Sequence, residues 1–101
     1  MTKLTLELSF QIALDEARQR LEKERLRLTN YLGEQGGSGA ATWDGDTLNF
    51  SARLLGSNIE GALTLADGIA NLDANVPFPM LIFRGKLEKR LRKLLKIDVV
   101  D

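Results

Sequence analysis

Residues 42–76 read TWDGDTLNFSARLLGSNIEGALTLADGIANLDANV, and the turn chemistry of this stretch decides the fold. Asp44-Gly45 and Asp67-Gly68 pair a turn-forming aspartate with a glycine free to take the backbone angles of a tight hairpin. Gly56, Ser57 and Asn58 supply another turn between them. Between the turns the apolar side chains alternate: Leu48, Phe50, Ala52 and Leu54, then Ile59, Leu63 and Leu65, then Ala70, Leu72, Ala74 and Val76. Such a period of two is a strand with one buried face. Together with the segment that Trp43 closes, the pattern predicts a meander of four antiparallel strands. Gly61, inside the third of these (near 59–66), marks a bulge or a point of close packing.

Upstream, Leu4, Leu6, Leu8 and Phe10 alternate with Thr5, Glu7 and Ser9, which predicts one further strand. From about Ile12 the period becomes helical, with Leu14, Ala17, Leu21, Leu28 and Leu32 on one face. Asp15 and Glu16 come early and Arg25 and Arg27 later, as the helix dipole favours. Gly33 is the expected left-handed cap, and residues 33–39 (GEQGGSG) read as a flexible glycine-rich connector. Downstream, Pro77 and Pro79 end the last strand. Met80, Phe83, Leu87, Leu91, Leu94 and Leu95 then trace the apolar stripe of a basic amphipathic helix over about 79–96. The expected fold is α+β: strand, helix, four-strand antiparallel meander, helix, with both helices packed on one face of the sheet, all in a single domain over 1–101.

Composition narrows the chemistry. The 101 residues carry 14 Lys+Arg and 14 Asp+Glu but neither histidine nor cysteine. That removes histidine-activated nucleophiles, redox dithiols and thiolate or imidazole metal sites. The absence of cysteine fits a reducing cytoplasm. Residues 1–10 lack the apolar core and small-residue cleavage site of a secretory signal. The longest uncharged, largely apolar run, Val76 to Phe83, falls far short of the roughly 20 residues that cross a bilayer.

Each candidate site has an ordinary structural reading beside a functional one. Gly36, Gly37, Ser38 and Gly39 follow a helix and enter a strand, the reverse of a phosphate-binding loop. Asp44 and Asp46 flank a turn glycine without the further oxygen ligands a cation needs, so no metal site is expected. Trp43 and Phe50 lie on facing strands of the first hairpin, where they pack the core or line an apolar pocket. The sharpest feature is charge segregation. Residues 84–96 hold Arg84, Lys86, Lys89, Arg90, Arg92, Lys93 and Lys96 against Glu88 alone, a net of +6, whereas residues 33–83 carry −5. A basic amphipathic helix of this kind either packs its stripe on its own sheet or rests on an anionic or apolar-cored surface, its cations snorkelling beside the inserted stripe. No aromatic residues interleave the basic run, which argues against nucleic acid.

The N-terminal strand, the helix opening Leu14-Asp15-Glu16-Ala17-Arg18, TWDGDTLNF (42–50), Gly61-Ala62-Leu63-Thr64-Leu65 and the proline-led, Gly85-containing helix from Pro77 to Leu95 resemble the small polyhydroxyalkanoic acid system proteins. These are bacterial proteins encoded near polyhydroxyalkanoate granule genes, and the resemblance spans most of the chain. It implies a non-enzymatic accessory or binding protein of the cytoplasm, at the granule surface or with granule proteins as partners, and no cofactor. The family has no established catalytic residues to carry over. Its members often have a histidine just before the first helix, where this chain has Phe10.

Two expectations of different class follow. In the first, the closing helix contributes to granule association through Met80, Phe83, Arg84, Lys86, Lys89, Arg90 and Lys93, either alone or as a homodimer. In the second, the chain is a small hydrophobic-ligand binding module, with an apolar pocket between sheet and helix near Trp43 and Phe50. The same stripe cannot fully serve both core and surface, and the position of that helix discriminates between them.

Overall fold

The computed structural model describes residues 2–54 and 56–97, with the side chain of Leu54, the last of its expected alternation, outside the described residues. Five strands, β1 (Thr2–Ser9), β2 (Ser38–Asp44), β3 (Thr47–Leu54), β4 (Ser57–Ala66) and β5 (Ile69–Val76), form one antiparallel sheet. Helix α1 (Leu14–Glu34) follows β1. A 3₁₀ turn (Phe78–Phe83) leads into α2 (Arg84–Leu94) after β5. The architecture is the expected α+β order of strand, helix, meander and helix.

The strand order is β1-β5-β4-β3-β2, so the first strand completes the sheet beside the last. Helix α1 therefore carries the chain from one sheet edge to the other. Its 21 residues reach about 30 Å at ~1.5 Å per residue, ample for the roughly 19 Å across four strand spacings. Register puts every alternating apolar set on the face that α1 crosses: Leu6 opposite Leu72, Leu72 opposite Leu63, Leu63 opposite Leu48, and Leu48 opposite Trp43. The other face carries the exposed carboxylates Glu7, Asp73, Glu60 and Asp44. Phe10 continues the inner face of β1 into the core, and its N–H donates to the Gly68 carbonyl at 2.9 Å.

Local details correct the sequence reading at several points. Helix α1 runs through Gly33, and the left-handed residue is Gly36 (φ 79°). The N–H of Gly37 returns to the Leu32 carbonyl and that of Gly36 to the Gly33 carbonyl, the paired bonds of a Schellman cap. The connector thus shrinks to Gln35–Gly37, while Ser38 and Gly39 already belong to β2. Ser57 and Asn58 pair with Leu54 and Arg53, which moves the second hairpin turn toward Gly56 (φ 78°). The closing helix begins as the 3₁₀ turn, with Pro79 in its first positions. It ends on the same kind of cap as α1, with Lys96 (φ 55°) in the left-handed position and the Ile97 N–H on the Arg92 carbonyl.

Gly61 is a point of close packing, and the ladder passes through it unbroken, opposite Phe50 on one side and Ala74 on the other. A Cβ there would meet the Asp73 carbonyl oxygen at 2.6 Å, the Phe50 ring at 2.7 Å and the Ala74 Cβ at 2.8 Å. The Phe50 ring thus lies over a strand position that has no side chain. Gly61→Val is expected to destabilise by about 1–3 kcal/mol through overpacking, read as a lower urea midpoint at unchanged slope. Gly85→Ala, in α2 with nothing within 4 Å of the added carbon, is expected to stabilise by about 0.4–1 kcal/mol in the same assay.

Candidate functional site

The inner face of the sheet is not uniformly filled. On β1 it carries Leu4, Leu6 and Leu8, and on β5 Leu72 and Val76 beside Ala70 and Ala74, all buried. Across β2 and β3 the same face runs from Trp43 opposite Leu48, through Ala41 opposite Phe50, to Gly39 opposite Ala52. Small side chains fill less space beneath a helix, and at the end of α1 Leu32 Cδ1 lies 2.8 Å from where a Gly39 Cβ would stand. A cavity of about 380 Å³ remains between the sheet, the C-terminal half of α1 and α2. It lies within the usual range for small-ligand pockets.

Its floor includes Ala41, Phe50, Ala52 and Ile59 together with Leu4, Leu63, Leu72 and Val76, and its walls include Leu28 and Leu32 from α1 and Met80, Phe83, Leu87 and Leu94 from the closing segment. Leu28, Phe83 and Leu87 are also exposed, so they form the mouth. Its charged members are Glu24, Arg25 and Arg90. Phe50 is among the lining residues. Trp43 is outside the lining: its indole N–H donates to Glu22 Oε1 at 3.0 Å, and the Arg18 guanidinium lies 4.6 Å above its ring. It fastens α1 to the edge strand β2.

The stripe of the closing segment divides along its length. Leu91 and Leu95 are 7% and 0% exposed, whereas Leu87 is 37%, Phe83 48%, Ile82 79% and Phe78 73% exposed. One end is core and the other is surface. The intervening cations are engaged in different ways. Arg84 donates to the Thr5 carbonyl at 3.2 Å and lies 4.0 Å from Glu88. The Lys86 ammonium sits 5.8 Å from the Phe83 ring centre. Lys89 and Lys93 are exposed on α2.

Arg90 instead reaches α1, where its Nε and Nη2 donate to the two oxygens of Glu24 at 2.9 Å each. Arg27 donates to the same two oxygens at 2.8 and 2.9 Å. Glu24 is 8% exposed, a buried carboxylate held between two guanidiniums. Sequence reasoning missed it, although the signal was present: Glu24 occupies the apolar face of α1, three residues after Leu21 and four before Leu28. A charge on a buried stripe needs a partner, and the partner is on the other helix.

The hydrogen bonds from Arg27 and Arg90 hold the Glu24 carboxyl at about 2, against an ordinary 4.5. Arg25, with a smaller contribution from Trp43, likewise holds Glu22 at about 2. Among the described residues no group of three or more acidic side chains is arranged to hold a metal. Asp44, Asp46, Glu60 and Asp73 are exposed and none lines the cavity. No described helix is long and apolar enough to cross a membrane.

A depressed folded-state pKa stabilises above the unfolded value and loses that contribution as pH falls through the folded one. For Glu24 the window runs from pH 4.5 down to about 2. Glu24→Gln is expected to cost on the order of 2 kcal/mol near neutrality, less than full linkage because both arginines are partly solvated. The deficit should shrink toward zero near pH 2 in urea titrations run across the acid range. A pH-independent deficit would show that the carboxylate charge does not tie the helices together.

Comparison with curated proteins and with solved structures gave no match. Among protein families, the one described as "Putative polyhydroxyalkanoic acid system protein" matches residues 4–98, nearly the whole chain, from β1 through the cap of α2. The chain belongs to the polyhydroxyalkanoic acid system protein family.

Proposed function

We propose that this chain is a non-catalytic accessory protein of the polyhydroxyalkanoate system, active in the cytoplasm at the surface of polyester storage granules. One observation carries this reading: Phe78, Ile82, Phe83 and Leu87 lie outside the core on one short segment, beside the cations Arg84, Lys86, Lys89 and Lys93. Contiguous exposed apolar side chains mark interaction surfaces. A basic flank lets such a segment rest on an apolar-cored particle with its charges in water. The divided stripe removes the conflict between core and surface, because Leu91 and Leu95 anchor α2 while the proline-led turn meets the granule. The family name links the chain to the polyhydroxyalkanoate system, and a polyester granule is a particle of that kind.

A second reading is supported by the cavity, whose walls suit a small hydrophobic ligand. It accounts for Phe50, Ala52 and Leu94, which the surface reading leaves unused. Both readings place function in binding, and both share Phe83 and Leu87.

Cosedimentation with purified granules tests the first. Removing two side chains that each contribute about 1.5–3 kcal/mol on burial should lower the bound fraction more than about tenfold, so Phe78→Asn with Ile82→Asn is the decisive variant. Lys86→Glu with Lys93→Glu is expected to weaken binding several-fold and to make the remainder less sensitive to salt. Both pairs are exposed, so melting temperatures should hold. Unchanged sedimentation of the apolar variant would overturn the surface reading, as would centrifugation showing that Phe78 and Ile82 are consumed in a dimer.

A further inference from the structure

We infer that the cavity between the sheet and the helices is the site of a linear aliphatic carboxylate, its chain over Ala52 and its head group at the Arg90 guanidinium. This rests on the second reading above and deepens it by naming the ligand class. The cavity wall is mostly hydrocarbon, and its charged members are Glu24, Arg25 and Arg90. The cluster at Glu24 is not electrically neutral. Its carboxylate accepts from both Arg27 and Arg90, two guanidiniums against one carboxylate. The surplus is one positive charge.

The donor count agrees. Arg90 directs Nε and Nη2 to Glu24, and a guanidinium has five N–H donors. Its Nη1 group takes no part in that pair. Arg90 is half-exposed although its Glu24 partner is buried, so the pair has a wet side at the cavity rim. An incoming carboxylate would accept from Nη1 without displacing Glu24. A cationic head would face the surplus charge, and an uncharged one would leave it unanswered.

The chain end is set by the sheet. Gly39, Ala41 and Ala52 line the cavity on β2 and β3, and Leu4, Leu72, Ala74 and Val76 line it on β1 and β5, so its sheet side is largely apolar. An unbranched chain fills such a space and displaces poorly bound water, whereas a polar polymer segment would bring ester oxygens that the walls cannot satisfy. The ligand is therefore a free acid, monomeric in size, and distinct from the polyester surface that Phe78 and Ile82 would meet.

The test is calorimetric titration of the full chain with laurate, dodecanol and dodecyltrimethylammonium, each below its aggregation concentration, with melting temperature as a parallel readout. One equivalent of laurate is expected to bind, more tightly than dodecanol by about tenfold, the worth of one charge-assisted hydrogen bond. The cation should bind weakest. Arg90→Gln should remove the preference for laurate over dodecanol, and Ala52→Phe should abolish binding of both. Equal binding of laurate and dodecanol, both lost in Ala52→Phe, would overturn the head-group assignment and leave the pocket reading standing. No binding of any of the three would overturn both. Should Ala52→Phe fail to fold, a fatty acid with a nitroxide near its chain end decides on the unaltered protein. Broadening of the Ala52, Ile59 and Leu94 methyl resonances supports the inference, and broadening confined to Phe78 and Ile82 refutes it.

Discussion

The structure depends on the crossing of α1 from one edge of the sheet to the other. Because β1 completes the sheet beside β5, the single connection between β1 and β2 must traverse the whole inner face, and a 21-residue helix does so. Its first half meets large side chains and buries Ala17 and Leu21. Its second half passes over Gly39, Ala41 and Ala52 and leaves Leu28 exposed. The cavity is the space that α1, α2 and the sheet leave between them, lined from β1 and β5 as well as from β2 and β3.

The second helix is positioned by what the first leaves uncovered. Leu91 and Leu95 fill the space beside β1 and α1, and Arg90 joins the Glu24 carboxylate that Arg27 already holds. A buried carboxylate is costly without partners, so Glu24 restricts the ways α2 can approach α1. Packing alone would allow the helix to slide along its stripe; the bidentate pair selects one register. That register is what places Phe83 and Leu87 at the cavity mouth and projects Phe78 and Ile82 into solvent. The positive end of the chain is thus partly a structural device and partly a free-facing surface.

The strands were legible because alternation and turn residues are local properties. Leu4, Leu6 and Leu8 bury as their spacing demands, and Gly45, Gly56 and Gly68 all take positive φ at hairpin turns. The helix ends were less legible. Gly33 and Gly36 are both acceptable caps by composition; Gly36 is the one that takes positive φ, with the Gly37 N–H on the Leu32 carbonyl. Trp43 and Phe50 read alike from their strands, as facing aromatics that pack the core or line a pocket. What separates them is Glu22 and Arg18 on α1, which claim the indole.

The sequence by itself determined the order of elements, which face of each strand is apolar, the family and the separation of charge along the chain, because each follows from residue spacing or residue identity. Only the tertiary structure decided the strand order, the division of the closing stripe into buried and exposed halves, the pairing of Glu24 with Arg90 and the existence of a cavity. These depend on which side chains meet across long stretches of chain. Periodicity specifies that a face is apolar, but whether that face is filled depends on the combined volume of residues as distant as Gly39 and Leu94, which no local pattern encodes.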